Sequence, residues 1–254
     1  AYAPSAVSVL LAATATKASL YILARILFSV FENSENLINS TLLYVILPLS
    51  IIAMFAGTIM AIYEKDIKRL LAHSSVAQIG YITLAFAIGT KASIAAGFIH
   101  MFNHAIIKGG LFIAITSLGF FIQKRVTINN LSGLGRAMPI TFFCFVLCSL
   151  SLAGLPLTAG FISKLYLIKA TISSDAIWIA ILILISSALS VVYLWKMIEV
   201  MWMREGRKIV IKENPTIYIS LIIITFFNVY FGLDASLVVN GSFEAAEKLI
   251  GDLK

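Results

Sequence analysis

Residues 95–112 read AAGFIHMFNHAIIKGGLF, and this stretch decides how the rest of the chain is interpreted. It lies inside an apolar run, Ala92–Ile122, that exceeds the roughly 20 residues needed to cross a bilayer. Three titratable residues, His100, His104 and Lys108, recur within it at four-residue spacing. In an α-helix each such step drifts by about 40° around the axis and climbs about 6 Å. We therefore predict three ionisable groups on one helix face, arranged along the membrane normal.

This ladder is difficult to explain as ordinary packing. A single buried histidine is usually a core residue whose hydrogen bonds are satisfied. Two histidines and a lysine at the depth of the bilayer centre are different, because each charge placed there is costly. The pattern favours a functional row of proton-handling groups.

The composition is typical of a helical membrane protein. Hydrophobic residues make up 60% of the 254 residues and charged residues only 12%, whereas soluble domains carry about 25% charged residues. The apolar runs lack the strict alternation of a transmembrane barrel. The net charge of +7 is spread along the chain, and no basic run with interleaved aromatic residues indicates a nucleic-acid partner. The sequence thus predicts an all-α integral membrane protein.

About eight transmembrane helices are expected, one of them interrupted near Pro156. The proline and glycine in LPLTAG break an apolar run, because proline removes a backbone donor and glycine loosens a helix. In lipid such a break survives only where protein or water satisfies the freed groups. The sixth segment is too short to cross alone. The segments are Ser5–Phe31, Thr41–Tyr63, Lys68–Ile88, Ala92–Ile122, Pro139–Leu155, Phe161–Ile172, Ala176–Met203 and Thr216–Leu233.

The chain divides into one polytopic membrane domain, residues 1–235, and a tail, residues 236–254. The tail alternates apolar and charged residues at helical spacing, which predicts a short amphipathic helix on the membrane interface or on a partner. A surface cap without its own function fits equally well. The chain starts at Ala1 without a charged leader, so we expect no signal peptide and a sequence that begins partway through a longer polypeptide.

Lysines within the apolar segments carry the main functional prediction. A lysine at the bilayer centre costs roughly 2.5–3.5 kcal/mol, so Lys17, Lys108 and Lys164 are expected to face a polar interior. Lys68 lies at a segment end, where a solvated side chain fits nearly as well. Desolvation disfavours the ammonium form, which lets a buried lysine exchange a proton near neutral pH, where histidine already titrates.

Lysines and histidines joined by water can form a proton relay. His73, in LAHSSVAQIGY, extends the row into the third segment. Polar side chains nearby, such as Ser74, Gln78 and Asn103, are candidates to hold the intervening water. The predicted relay consists of Lys17, Lys68, His73, His100, His104, Lys108 and Lys164.

Rival chemistry is less consistent with the sequence. A zinc site at His100 and His104 would need further ligands, and that helix offers no glutamate or cysteine. No nucleotide loop, nucleophile elbow or dinucleotide fingerprint is present, and Cys144 and Cys148 are expected to pack in the core. We predict no catalytic site, no metal and no cofactor in this chain. Aromatic residues near segment ends are expected at the membrane–water interface: Tyr193, Trp195 and Trp202.

Four motifs, in order, closely resemble the antiporter-like membrane subunits. This superfamily includes the large subunits of multisubunit cation/proton antiporters and the proton-pumping subunits of respiratory complex I. The resemblance covers about residues 1–199 and is most similar to the D-type antiporter subunit. The motifs are DIKRLLAHSSVAQIGY (Asp66–Tyr81), HMFNHAIIKGGLF (His100–Phe112), LSGLGRAMP (Leu131–Pro139) and LAGLPLTAGFISKLYL (Leu152–Leu167).

The resemblance implies a function that composition and spacing do not. It implies a proton-translocating subunit exchanging protons for sodium, with other membrane subunits as partners, in a bacterial or archaeal cytoplasmic membrane. Lys17 would belong to a first half-channel and Lys164 would end a second one. Members have about fourteen spanning helices, so this chain supplies the last eight, and the usual glutamate partner of Lys17 is missing.

Two alternatives stay open at this point. The chain fits a subunit of a redox-driven NADH:quinone oxidoreductase, in a bacterial or a mitochondrial inner membrane. It also fits a structural scaffold, which would keep the face from His100 to Lys108 dry and internally paired.

Overall fold

The computed structural model describes residues 5–30, 35–122, 126–205 and 215–251, and these are almost entirely helical. The predicted all-α class is confirmed. Phe31, the predicted end of the first segment, lies outside the described residues. The helices are α1 (5–30), α2 (35–63), α3 (Ile67–Ile88), α4 (Lys91–Ile122), α5 (Leu134–Ala137), α6 (Pro139–Ala153), α7 (Ala159–Ser173), α8 (Ile177–Trp202), α9 (Pro215–Leu233) and α10 (Ser236–Gly251).

The first two helices contain π-helical turns. In α1 these turns are Leu11–Ala15 and Ile26–Val30, and in α2 the turn is Leu42–Ile46. Pro48 follows the last of them, within the first two positions of the α-helical part Leu47–Tyr63. Pro48 is therefore inside a continuous helix, where a proline removes one N–H donor and crowds the carbonyl four residues earlier, and the change from π-helical to α-helical geometry lies beside it. Helix α2 begins at Glu35, before the predicted Thr41.

In the described part of the chain, six helices are long and apolar enough to cross a membrane individually, namely α1, α2, α3, α4, α8 and α9. The helices α6 and α7 have 15 residues each, about 22 Å at 1.5 Å per residue, which is less than the roughly 30 Å of hydrocarbon. They meet at the predicted break around Pro156. Counting these two halves separately gave the expected eight segments.

A short connection precedes α6. Within it, Ile128–Leu131 is a 3₁₀-helix and α5 follows. This helical stretch lies at 118° to α6. Backbone bonds from Ile67 N to Val126 O and from Ile128 N to Lys65 O tie the connection to the α2–α3 loop.

Helix α4 is at the centre of the molecule. It packs against α1, α3, α6, α7, α9 and α10, and it is the most deeply buried of the described candidate spans. Next to it, α2 and α3 pack backbone to backbone, since a Cβ at Gly80 would lie 2.7 Å from Met54 N. The ladder of titratable residues is therefore surrounded by protein.

The predicted C-terminal amphipathic helix is present as α10. Ala246 and Leu249 on its apolar face are buried against Ile94 and Ala95 of α4. Glu247 Oε2 lies 3.0 Å from Lys91 Nζ at the start of α4. The helix thus docks on the protein, and the end of the predicted tail, 252–254, lies outside the described residues.

Candidate functional site

His100 stands at the centre of the polar site. Its side chain is 2% exposed, and both ring nitrogens have partners on neighbouring helices. Nδ1 lies 2.8 Å from Ser163 Oγ on α7, and Nε2 lies 3.0 Å from Gln78 Oε1 on α3. The Ser163 hydroxyl also lies 2.9 Å from the carbonyl oxygen of Gly160. His100 therefore joins three helices through one imidazole.

His104 lies one turn further along α4 and is bound differently. Its ring stacks on that of His100, with centroids 6.1 Å apart and planes 2° apart. It is 1% exposed, and neither of its nitrogens has a hydrogen-bond partner within the described part of the chain. The Asn103 amide nitrogen donates to Ala159 O at 2.7 Å, while its oxygen is equally buried and unpaired there. Buried polar groups normally bind protein or ordered water, so this part of the site is suited to hold water.

Lys108 completes the ladder from the same face of α4. Its side chain is fully buried. Its ammonium donates to Leu71 O at 2.7 Å and to Ser74 Oγ at 2.5 Å, both on α3. The three residues thus share one face, as their spacing predicts, and that face is turned toward protein rather than lipid.

Lys164 binds the broken end of α6. Its ammonium donates to Leu152 O at 2.9 Å, to Ala153 O at 2.8 Å and to Ser187 Oγ at 2.7 Å. All three of its protons are therefore satisfied. The C-terminal carbonyls of a helix lack intrahelical partners and carry partial negative charge, so the break supplies the acceptors for this lysine.

Tyr81 on α3 lies between the two halves of the site. Its ring centroid is 5.5 Å from Lys164 Nζ and 5.6 Å from the His100 ring. No local pattern singles out Tyr81, Ser163 or Ser187, because their roles depend on which helices pack together.

Lys17 on α1 approaches the same axis. It is buried, and its ammonium donates to Ala12 O in the π-helical turn of its own helix. It also interacts electrostatically with His100, His104 and Lys108.

The remaining predicted residues lie toward the surface. His73 is 34% exposed, and its Nε2 lies 3.8 Å from Glu64 Oε2. Lys68 is half-buried in the first turn of α3. Lys68 precedes the Leu71–Ser74 segment that binds Lys108 and His73 lies within it, so both residues border the Lys108 end of the ladder.

One interface assignment was wrong. Tyr193 was expected in the aromatic belt, but it is fully buried, whereas Trp195 and Trp202 are 53% and 43% exposed. Tyr193 lies well inside the 26-residue α8, and it faces the core side of that helix. The prediction treated Tyr193 as close to the end of its segment, Ala176–Met203, although ten more residues of that segment follow it.

No group of three His, Cys, Asp or Glu side chains that could hold a metal occurs among the described residues. Cys144 and Cys148 are buried and unoxidised in α6. The arrangement offers buried amines, imidazoles and hydroxyls in a row, which is chemistry for holding and passing protons.

Comparison with known proteins finds relatives along most of the chain. Residues 1–190 match the family described as "NADH:quinone oxidoreductase/Mrp antiporter, TM". Subunit N of the NADH-quinone oxidoreductase of Desulforudis audaxviator is 38% identical over 199 residues, which cover 78% of this chain and 39% of that protein.

Two solved structures share the fold. A chain of the membrane-bound sulfane sulfur reductase, an archaeal respiratory membrane complex, superimposes with a TM-score of 0.86 at 29% identity, covering 98% of this chain and 50% of that chain. A chain of the Mrp complex from Dietzia sp. DQ12-45-1b gives 0.87 at 22% identity, covering 97% and 53%. The latter likeness is one of fold alone. The chain spans about half or less of the length of these proteins.

Proposed function

This chain belongs to the NADH:quinone oxidoreductase/Mrp antiporter family, and we propose that it is a proton-translocating subunit of a multisubunit membrane complex. It is a multi-pass membrane protein of a family found in bacterial and archaeal cytoplasmic membranes. Its partners in this proposal are the other membrane subunits of the complex. The observation that carries the proposal is the buried row from Lys108 through His104 and His100 toward Lys164.

The geometry of His100 supports proton exchange. With Nε2–H donating to Gln78 Oε1, the neutral ring accepts the Ser163 hydroxyl proton at Nδ1. When Nδ1 is protonated, it donates to Ser163 Oγ, and the hydroxyl turns to Gly160 O, 2.9 Å away. Both protonation states are therefore satisfied after a single hydroxyl rotation. Such a group can gain and lose a proton without rearrangement of the helices.

A proton would pass along the row through bridging water, because no hydrogen bond within the described residues joins these four groups directly. It would leave the Lys108 ammonium, pass to His104 and then to His100, and convert a neutral Lys164 amine into an ammonium. The protonated form of Lys164 is stabilised, since three surrounding oxygen atoms accept hydrogen bonds from its ammonium group. His73 and Glu64, half-exposed beside the Lys108 site, would form its entrance, with Lys68 nearby and Lys17 modulating the row by its charge.

Two driving reactions are proposed for this activity. The 38% identity to an oxidoreductase subunit N favours a redox-driven complex, in which this chain holds no cofactor. The motifs HMFNHAIIKGGLF and GLPLTAGFISKLYLIKA resemble the D-type antiporter subunit and favour exchange against sodium. A sodium pulse that drives proton efflux from vesicles supports the second, whereas flux that requires NADH or another electron donor supports the first.

A structural scaffold is the rival function. It would require each buried polar group on the ladder to be paired within the protein. The two His104 nitrogens and the Asn103 oxygen, buried without partners in the described residues, argue against it.

The decisive experiment measures proton flux in vesicles that contain the complex purified through this chain. Lys108→Ala and Lys164→Ala should each reduce flux under an imposed potential to background, with assembly intact. Lys169→Ala is the matched control, because Lys169 is exposed on the same helix as Lys164. Wild-type flux in both axis variants would overturn the proposal.

A further inference from the structure

The first turn of α7 is capped from another helix. The first N–H groups of a helix lack intrahelical acceptors, and the side chain of the N-cap residue usually accepts from one of them. Thr158, the N-cap residue of α7, makes no such bond, and its hydroxyl donates to Leu155 O at 2.6 Å. The Gly160 N–H donates to Ser151 Oγ at 3.1 Å. A serine of α6, on the other side of the break, therefore supplies the missing cap.

Asn228 on α9 sets the direction of the Ser151 hydroxyl. Both residues are fully buried, and the Ser151 hydroxyl donates to Asn228 Oδ1 at 2.7 Å. A hydroxyl has one proton and two lone pairs, so this bond leaves the lone pairs of Ser151 to accept the Gly160 N–H. Without Asn228 the proton would turn to a carbonyl of its own helix, as serine hydroxyls in helices do. The cap of α7 thus depends on α9 as well as on α6.

Two further contacts hold the same part of the chain. Gly232 is four residues after Asn228 and shares its face of α9, and a Cβ at Gly232 would lie 2.4 Å from a carbonyl oxygen of the connection between α6 and α7. On α4, the Asn103 amide donates to Ala159 O at 2.7 Å. The peptide group that joins Ala159 to Gly160 is therefore held at its oxygen by α4 and at its N–H by α6 and α9.

This turn of α7 places the hydrogen-bond partner of His100. The Ser163 hydroxyl lies 2.8 Å from His100 Nδ1 and 2.9 Å from Gly160 O. Both distances depend on the position of the first turn of α7. Hydrogen bonds longer than about 3.2 Å are weak, so a displacement of about half an ångström is enough to weaken one of the two.

We propose that Asn228 is a positioning residue for His100, acting through Ser151 and the first turn of α7. The inference rests on the proposed function. Asn228 carries no proton itself. It keeps both acceptors of the Ser163 hydroxyl within reach, so that His100 can be charged and discharged. The links between helices in this path are direct hydrogen bonds: Ser151 to Asn228, Gly160 to Ser151, and Ser163 to His100.

The test compares Ser151→Ala and Asn228→Leu in the reconstituted complex, with proton flux and NMR of isotope-labelled histidine measured on each variant. Each should reduce flux about tenfold or more, since misplacing a supporting group by about 1 Å can cost about a hundredfold. The His100 signal, assigned by its loss in His100→Gln, should shift at Nδ1 in both variants. The double variant should lose no more flux than Ser151→Ala alone, because both changes break one path.

Thr225→Val is the matched control. Thr225 is also buried, three residues before Asn228 on α9, and its hydroxyl lies 3.8 Å from Cys148 Sγ on α6. The valine therefore disturbs the same α6–α9 contact without removing the cap of α7. Its flux and its His100 signal should match those of the wild type.

Three results would overturn the inference: wild-type flux in both Ser151→Ala and Asn228→Leu, reduced flux with an unmoved His100 signal, or an equal shift of that signal in Thr225→Val. If Asn228→Leu does not assemble, Ser151→Ala alone decides, because it removes only the hydroxyl oxygen.

The lysine variants separate this inference from the proposed function. If Lys108→Ala and Lys164→Ala lose flux while Ser151→Ala and Asn228→Leu keep it, the inference alone fails. If the lysine variants retain flux, the proposed function fails, and the inference fails with it.

Discussion

The two central lysines are held in contrasting ways. Lys108 projects from the unbroken 32-residue helix α4 and binds a serine hydroxyl and one carbonyl on the neighbouring α3. Lys164 follows an interruption and binds two main-chain carbonyls at the end of α6, together with Ser187. The first site is built mainly by side-chain placement and the second by backbone geometry.

Because of this difference, different substitutions should disrupt the Lys108 site and the Lys164 site. The acceptors of Lys164 exist because a helix ends inside the protein and its last carbonyls are free. The site therefore depends on the residues that allow the chain to break. Lys108 instead depends on the position of one side chain, since the Ser74 hydroxyl on α3 lies within hydrogen-bond distance of its ammonium group.

The strongest test of the contrast compares two glycines. A Cβ at Gly160 would lie 1.8 Å from Ser151 O, whereas nothing lies within 4 Å of one at Gly109. Gly160→Ala should destabilise the protein by about 3 kcal/mol or more, because rigid backbone has to move. Gly109→Ala on α4 should be neutral or stabilising by up to about 1 kcal/mol. Thermal unfolding in detergent measures the stability of both variants. Equal stabilities would contradict the claim that close backbone packing at the break builds the Lys164 site.

A second glycine pair separates strain from function. Gly154 has φ of 92°, and a Cβ there would lie 2.9 Å from Lys164 Cδ. Gly154→Ala should cost about 1–2 kcal/mol in backbone strain, and it should also lower proton flux by displacing the lysine. Gly89→Ala, with φ of 73° and only Leu42 within 4 Å, should show the strain alone. Flux reduced equally in both variants would contradict the backbone origin of the Lys164 site.

The ladder and the break could both be predicted because they depend on local pattern. The four-residue spacing from His100 to Lys108 fixes a shared face in any helix, and Pro156 interrupts a helix interior. Gly160 was expected to contribute to the break, but it lies in the first turn of α7, and the break begins at Gly154. The burial of Lys17, Lys108 and Lys164 followed from the cost of exposing an amine to lipid.

Partners on other helices could not be predicted in this way. Ser163 and Ser187 belong to the site only because α7 and α8 pack beside α4 and α6, which no periodicity in their own segments encodes. Tyr193 was misplaced for the same reason. Ser74 and Gln78 were expected to hold water, but they bind Lys108 and His100 directly.

The Lys108 site can be tested by removing the Ser74 hydroxyl. Ser74→Ala should leave Lys108 with one acceptor fewer and cost about 1–3 kcal/mol, with reduced proton flux. Ser220→Ala is the control, since the exposed Ser220 hydroxyl donates to Thr216 O at 2.9 Å within its own helix α9, away from Lys108. Thermal unfolding and vesicle flux report both effects. An unaltered Ser74→Ala protein would show that Lys108 does not depend on that hydroxyl.

The smallest change in stability is expected at Glu64, at the proposed entrance to the proton row. Hydrogen bonds from the backbone N–H groups of Asp66 and Lys65 hold the pKa of the Glu64 carboxyl below its ordinary value. A lowered carboxyl pKa adds stability above the unfolded-state pKa, and that stability is lost as pH falls through the folded-state pKa. Glu64→Gln should therefore flatten the acid side of the stability–pH curve, changing stability by no more than about 0.5 kcal/mol. Unfolding midpoints between pH 3 and 7 are the measurement, and an unchanged acid limb would exclude this contribution.

The most direct test of the proton row is the hydration of His104. A cryo-electron microscopy map of the complex in nanodiscs, at a resolution that shows ordered water, would decide it. The account predicts water bound to the His104 nitrogens and connected to Lys108 and the Asn103 oxygen. A dry site, with the ring of His104 enclosed by apolar side chains and no water between it and Lys108, would contradict it.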